Sequence, residues 1–230
     1  MGLGLTELEN RINTWKPEKI SISVCAVESA QYQFNPDEIK QVSGWHPRRI
    51  REFAAGREAA HKALAKLGVP PAPLLRGEDR TPQWPEGITG SITHSGDKAL
   101  AAVASCSDYL GIGIDLEQMS KFPEKVFWRI SLPEEKEWIY SLGPESIQWA
   151  APFLFSAKES FYKAQYPLTH ARLGFHDVMI QLGDKTGWFT TKYNKEHPTR
   201  RYPDNSGFIG RYILLEDYIF TLSLLKAQNS

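Results

Sequence analysis

The chain has 230 residues, 41% of them hydrophobic and 23% charged, and its 27 lysines and arginines balance 27 aspartates and glutamates. That composition excludes intrinsic disorder, and the lack of a basic excess argues against a nucleic-acid partner gripped along its phosphates. No run approaches the ~20 apolar residues of a membrane-spanning helix, so a soluble protein of one large or two small domains is expected, with no membrane partner.

The two cysteines, Cys25 and Cys106, show no C-x-x-C or framework spacing and sit in apolar, strand-like runs. That is the usage of buried thiols in a reducing compartment, so a cytoplasmic location is predicted. The opening MGLGLTELEN lacks the basic start and apolar stretch of a secretory signal. Gly2 and Thr6 fit the short myristoylation pattern, but so brief a pattern recurs by chance. A frayed start leading into a short segment around Leu5 to Trp15 is the expectation.

Residues 20–27 alternate Ile20, Ile22, Val24 and Ala26 with smaller positions, the period of a strand. From Pro47, apolar side chains recur at Ile50, Phe53, Ala60, Leu64 and Leu67 until Gly68 and Pro70-Pro71 intervene, predicting a long helix. The alternating three- and four-residue steps hold only if Arg57 belongs to the stripe, which puts an arginine on the core-facing seam. A Pro-rich connector (70–87) precedes three extended runs, Ile88 to Thr93, Ala99 to Ala104 and Leu110 to Glu117. Residues 118–148 are mixed and charged, and Phe153 to Tyr166 reads as a second long helix ended by Pro167. Strands are predicted at Phe175 to Leu182, Trp188 to Tyr193, Phe208 to Leu215 and Tyr218 to Leu225. Each half offers a long helix followed by strands, an α+β pattern.

Charge is divided unevenly along this order. Between His46 and Arg80 eight basic residues face four acidic ones, and between Asp108 and Ser160 nine acidic residues face five basic ones. A basic region beside an acidic one suits a site that takes a polyanion together with a divalent metal.

Three segments carry chemistry. In Gly111-Ile-Gly-Ile-Asp-Leu-Glu117, a strand sends Asp115 and Glu117 to one face while Ile114 and Leu116 go to the other. Burying two carboxylates at the end of an apolar run is costly unless a cation compensates, and hard oxygen donors suit Mg²⁺ or Mn²⁺. A solvated strand end is the competing reading. In Phe155-Ser-Ala-Lys-Glu-Ser-Phe-Tyr-Lys163, Glu159 offers a third carboxylate and Lys163, one turn on, a phosphate contact. Against this, Ser156 with Glu159 also fits a capping box, and Glu159 with Lys163 an ordinary surface ion pair. The third segment, Gly90-Ser-Ile-Thr-His-Ser95, places His94 at a strand end before a turn. The remaining histidines lack zinc spacing, and neither a phosphate loop nor a nucleophile elbow occurs.

The segments F-A-A-G-R (53–57), W-P-E-G with G-S-I-T-H (84–94), G-I-D-L-E (113–117) and F-S-A-K-E-S-F-Y-K (155–163), in this order, resemble the 4′-phosphopantetheinyl transferase superfamily. The match is to its monomeric branch of surfactin- and enterobactin-synthetase activating enzymes, and it spans about residues 48–166. The D-x-E and K-E-x-x-x-K elements carry the superfamily resemblance, while F-A-A-G-R and W-P with G-S-I-T-H carry that to the enterobactin type.

The resemblance implies an α+β pseudo-dimer of two similar subdomains, residues 1–112 and 113–230, each a long helix packed on a small, mainly antiparallel sheet. Coenzyme A would bind in the cleft between them. It implies an enzyme of the holo-[acyl-carrier-protein] synthase type that moves the 4′-phosphopantetheine arm of coenzyme A to a serine of an apo acyl or peptidyl carrier protein. Adenosine 3′,5′-bisphosphate is released. By matching position Asp115, Glu117 and Glu159 would be Mg²⁺ ligands, His94 and Lys163 would contact the pyrophosphate, and Arg49, Arg57 and Arg76 the 3′-phosphate end of the nucleotide. Nonribosomal peptide, polyketide or siderophore pathways would supply the carrier, and the enzyme would act as a monomer.

The residues agree with that chemistry. Attack of a serine hydroxyl on phosphorus needs positioning and neutralisation of charge on the phosphate oxygens, and a guanidinium on a core-facing stripe is costly unless it meets an anion. Glu159, directly or through a water on the metal, is the expected base, alongside Lys163 and His94 as catalytic groups. Between Lys121 and Trp138 the apolar residues Phe122, Val126, Phe127, Trp128 and Ile130 are more than a free loop needs. Ordinary helix packing and a carrier-docking surface both account for them. Two other functions stay open at this point: a metal-dependent phosphohydrolase or nuclease using the same carboxylates, and a nucleotide-binding module without catalysis.

Overall fold

A computed structural model describes residues 3–28, 33, 35–183, 185–194 and 207–227. Gly2 lies outside them. The chain divides into two compact units, Leu3–Tyr109 and the residues from Leu110 onward.

The first unit contains α1 (Leu5–Trp15), β1 (Ser21–Ala26), α2 (Pro36–Val42), α3 (Pro47–Lys66), β2 (Ile88–Ser95) and β3 (Lys98–Ser105). Its three-stranded sheet has the order β1-β3-β2 and is antiparallel throughout. The predicted helix α3 starts at Pro47, with His46 Nδ1 accepting from Arg48 N as its cap. It lays a face of small residues, Ala55, Ala59 and Ala60, against Cys25, Ala99 and Ala101. Small side chains on both surfaces bring helix and sheet close enough to exclude water. Burial pushes the Cys25 thiol up to about 11, whereas Cys106 is only half-buried, in the turn after β3. The N-terminal segment is an ordered helix, α1, with Leu8 and Ile12 fully buried. Glu9 accepts from Val24 N of β1, so a side chain serves an edge strand that would otherwise present its backbone.

The strand β4 (Tyr109–Gln118) opens the second unit, followed by α4 (Glu124–Ile130), α5 (Pro133–Ser141), α6 (Ile147–Thr169), β5 (Val178–Leu182), β6 (Trp188–Tyr193), β7 (Phe208–Leu215) and β8 (Tyr218–Lys226). The sheet order is β4-β8-β7-β6-β5, with β5 to β8 antiparallel in sequence. Thus β4 leaves the β2–β3 hairpin that precedes it in the chain and pairs with the last strand. The second long helix is longer than predicted, because it begins at Ile147 and passes both Pro152 and Pro167. Each proline removes one hydrogen bond near a helix end, where the loss is smallest, and the helix stops at His170 in the left-handed conformation (φ 55°). Residues 118–148 are chiefly helical. Phe127, Ile130 and Ile139 from α4 and α5 join Phe153, Leu154 and Phe161 of α6 in the unit's core. Both units are therefore a long helix on a mainly antiparallel sheet, an α+β fold, with three strands in one and five in the other.

Candidate active site

The site in the second unit is built where α6 crosses β4. A Cβ on Gly113 would overlap the Ser160 carbonyl, and one on Gly111 would meet that of Ala164. Only hydrogen at these two positions lets the helix backbone rest on the strand. On its other flank α6 is riveted to β8 by small hydroxyls: Ser156 Oγ lies 2.8 Å from Thr221 Oγ1 and Ser160 Oγ 3.0 Å from Ser223 Oγ. Ser156 is thus a buried mid-helix residue and not a helix cap, which removes the capping-box alternative.

That seam sets the functional groups. Just beyond Gly113, Asp115 is 4% exposed, and Lys163 Nζ stands 2.7 Å from its Oδ1 and 3.3 Å from the Ile114 carbonyl oxygen. The ion pair that forms here is therefore Lys163 to Asp115, across the seam, in place of the intrahelical Glu159 to Lys163 pair. Glu117 and Glu159 are half-buried nearby. Burial, reinforced by the charge of Asp115, then opposed by Lys163 and raised again by Glu159, pushes the Glu117 carboxyl up to about 8. Glu159 is likewise raised, chiefly by burial, with Asp115 adding and Lys163 opposing. Three carboxylates and one ammonium therefore share a single electrostatic neighbourhood, as carboxylates crowded in a partly dry site must.

As they stand, no three acidic, imidazole or thiol side chains among the described residues are grouped closely enough to hold an ion. The donor chemistry nonetheless fits Mg²⁺, which takes one or two carboxylates, keeps waters and draws further oxygens from substrate phosphates instead of a complete protein cage. Asp115 Oδ2 is buried, so the carboxylate carries a second oxygen beside the one that Lys163 contacts. Alongside Glu159 lies a cavity of about 170 Å³ lined by Lys158, Tyr162, Leu173 and Phe175.

Lys158, inside the same motif, has a separate role that its sequence did not signal. Its Nζ donates to Glu135 Oε2 at 2.8 Å, to the Ile130 carbonyl at 2.9 Å and to that of Phe175 at 2.7 Å. Glu135 in turn accepts from Leu132 N and Ile180 N. The buried pair ties α4, α5, α6 and β5 together beneath Glu159, and burial lowers the Lys158 ammonium's pKa against the pull of Glu135.

The basic residues of the first unit gather on aromatic rings. The guanidinium carbon of Arg49 lies 4.4 Å from the Trp45 ring centroid and that of Arg76 5.4 Å from it. Trp45 meets Phe53 edge-on at 5.5 Å, and Arg57 lies 4.1 Å over the Phe53 ring. The connector that defeats sequence register is fixed by Gln41, whose amide bonds both the N–H and the carbonyl of Arg76. Arg76 is lowered in pKa by burial and by its cationic neighbours Arg80 and Arg49. Arg57 is buried as predicted, 4% exposed, and part of its compensation is the Leu74 carbonyl 2.8 Å from Nε. His94 is exposed at the end of β2, opposite Ala99. Trp45 is not signalled by the sequence, since a lone tryptophan before a helix carries no periodic pattern.

Two family models match the chain: the 4′-phosphopantetheinyl transferase N-terminal domain over residues 37–104, and the 4′-phosphopantetheinyl transferase superfamily over residues 111–221. Among relatives, 4′-phosphopantetheinyl transferase Svp of Streptomyces mobaraensis is 38% identical over 84% of this chain and 78% of its own length. Enterobactin synthase component D of Escherichia coli (strain K12) is 38% identical over 58% of this chain and 62% of its own. A holo-(acyl-carrier-protein) synthase from Bacillus anthracis solved in complex with coenzyme A superposes on 53% of this chain and 99% of its own, with a TM-score of 0.40 and 18% identity. With both models matched in order and a relative 38% identical over 78% of its own length, the chain belongs to the 4′-phosphopantetheinyl transferase superfamily.

Proposed function

We propose that this enzyme transfers the 4′-phosphopantetheine arm of coenzyme A to a serine of an apo acyl or peptidyl carrier protein, with Mg²⁺ bound by Asp115, Glu117 and Glu159. The observation that carries the reading is the electrostatic neighbourhood of these three carboxylates and Lys163, built by α6 resting on β4. When bound, the ion would neutralise charge on the diphosphate oxygens and so make phosphorus open to attack.

The protein's own groups supply the rest. Glu159, whose carboxyl burial raises above its ordinary value, accepts the proton of the carrier serine, directly or through a water. The serine oxygen forms a bond to the phosphorus that bears the pantetheine, and the bond from that phosphorus to the bridging oxygen breaks. The electron pair leaves on adenosine 3′,5′-bisphosphate. Lys163 donates from Nζ to the diphosphate oxygens once it exchanges Asp115 for them. The apolar cavity beside Glu159 accommodates the arm and keeps water from the phosphorus. Arg49, Arg57 and Arg76 hold the nucleotide's 3′-phosphate, and His94 assists at the diphosphate.

The test is to incubate the protein with Mg²⁺, coenzyme A and an apo carrier, and to weigh the carrier. A gain of one phosphopantetheine is expected, abolished in Asp115→Ala and strongly reduced in Glu159→Ala. Coenzyme A cleavage without that gain would replace the proposal by a phosphohydrolase, and full activity of Glu159→Ala would remove its role as base.

A further inference from the structure

The arginine cluster of the first unit is organised around a residue that no catalytic scheme requires. Arg49 comes from the first turn of α3 and Arg76 from the connector before β2, yet both guanidiniums lie over one ring, that of Trp45. Neither forms an ion pair with a carboxylate among the described residues. Arg76 moreover feels the repulsion of Arg49 and Arg80. Like charges held together without an acid need another source of cohesion. The electron-rich face of an indole supplies it, and a cation–π contact gives a guanidinium no hydrogen-bond acceptor, so its N–H donors can serve an anion. Phe53, packed edge-on against the ring, fixes the plane of Trp45, and Gln41 fixes the backbone of Arg76.

We infer that Trp45 is a positioning residue that assembles Arg49 and Arg76 into a dianion-binding fork, and so sets the enzyme's preference for coenzyme A over its 3′-dephosphorylated form. This rests on the reading that these arginines meet the 3′-phosphate. Forked guanidiniums recognise a phosphate by geometry as well as charge, and a fork left to wander loses much of that gain to side-chain entropy. Removing the ring therefore weakens recognition of the one phosphate that separates the two donors and leaves the reacting diphosphate untouched.

The experiment measures KM for coenzyme A and for 3′-dephospho-coenzyme A, with carrier saturating, in the native enzyme, Trp45→Leu, Trp45→Phe and Arg49→Ala. Loss of two cation–π contacts predicts a rise of roughly five- to tenfold in the coenzyme A KM for Trp45→Leu. The dephospho-coenzyme A KM stays unmoved, and Trp45→Phe recovers most of the preference. Equal rises for both donors would reduce Trp45 to a purely structural residue and overturn the inference. An unchanged coenzyme A KM in Trp45→Leu, beside a raised one in Arg49→Ala, would also overturn it while leaving the phosphate site intact. Should Arg49→Ala itself leave the preference unaltered, the 3′-phosphate reading fails. Trp45→Met, which fills much of the volume without a π face, replaces the leucine variant if that fails to fold.

Discussion

Lys163 Nζ sits 2.7 Å from Asp115 Oδ1, so an ammonium from α6 balances the charge of a buried carboxylate on β4. In metal-free solution Lys163→Met removes that ammonium from Asp115. Breaking a buried pair costs about 3–5 kcal/mol, and since the Lys163 side chain is 27% exposed the loss falls toward the lower end or below it. Urea unfolding in chelator should show it. Added Mg²⁺ or Mn²⁺ should then raise the unfolding midpoint more in the variant than in the native protein, because the ion no longer competes with the ammonium.

Glu117 gives a pH signature with a defined sign. Its folded carboxyl titrates at about 8, against 4.5 ordinarily, so the folded state holds this proton more tightly than the unfolded chain. The contribution to stability is complete below 4.5 and is lost as pH rises through about 8. Metal-free protein should therefore lose stability across that window, and Glu117→Gln should flatten the profile. Binding of a divalent cation near neutral pH should release protons, fewer in Glu117→Gln, as read by calorimetry in buffers of different ionisation heat.

The seam itself is testable at Gly113. A Cβ there would overlap the Ser160 carbonyl, and backbone cannot move aside as a side chain can. Gly113→Ala should cost at least the upper part of the ~1–3 kcal/mol usual for overpacking. In whatever fraction folds, α6 is displaced from β4, so transfer should fall further than stability does.

Lys158 and Glu135 should behave as a unit. Lys158→Met alone leaves a buried carboxylate lacking its ammonium partner and should cost about 3–5 kcal/mol in urea unfolding. Lys158→Met with Glu135→Gln should recover part of that loss, since no buried charge is then left over and the amide oxygen can still accept from backbone N–H.

Phe127 and Trp128 are adjacent in sequence and opposite in fate. Phe127 is fully buried in the core, whereas Trp128 is 47% exposed and meets Tyr140, itself 49% exposed, in a tilted contact with ring centroids 6.0 Å apart. Phe127→Asp should simply unfold the second unit. If this aromatic surface docks the carrier, Trp128→Glu should raise KM for the carrier severalfold while leaving that for coenzyme A unchanged.

Much of the site could be read from the chain because its chemistry is local. A strand puts Asp115 and Glu117 on one face by its period of two, and a helix stacks Glu159 and Lys163 one turn apart. Arg57 betrayed itself by breaking an apolar stripe and proved to be buried. The partners stayed hidden. Nothing near Glu135, in a run of surface-like acids, announces that it receives Lys158, and nothing near Trp45 announces two arginines. Proline's local penalty predicts a helix end at Pro167, whereas α6 packs as a helix through Thr169.

Periodicity, turn residues and motif order determined that this chain makes helix-on-sheet units and which side chains are candidates for its chemistry, since these depend on neighbours a few positions away. Only the tertiary structure decided that β4 joins β8 and not β3, that α6 lies on bare glycine backbone, and that Lys163 chooses Asp115 over Glu159. Those outcomes turn on close approach between segments far apart in the chain, where steric fit and the dryness of the contact set the energies, and neither is written in local order.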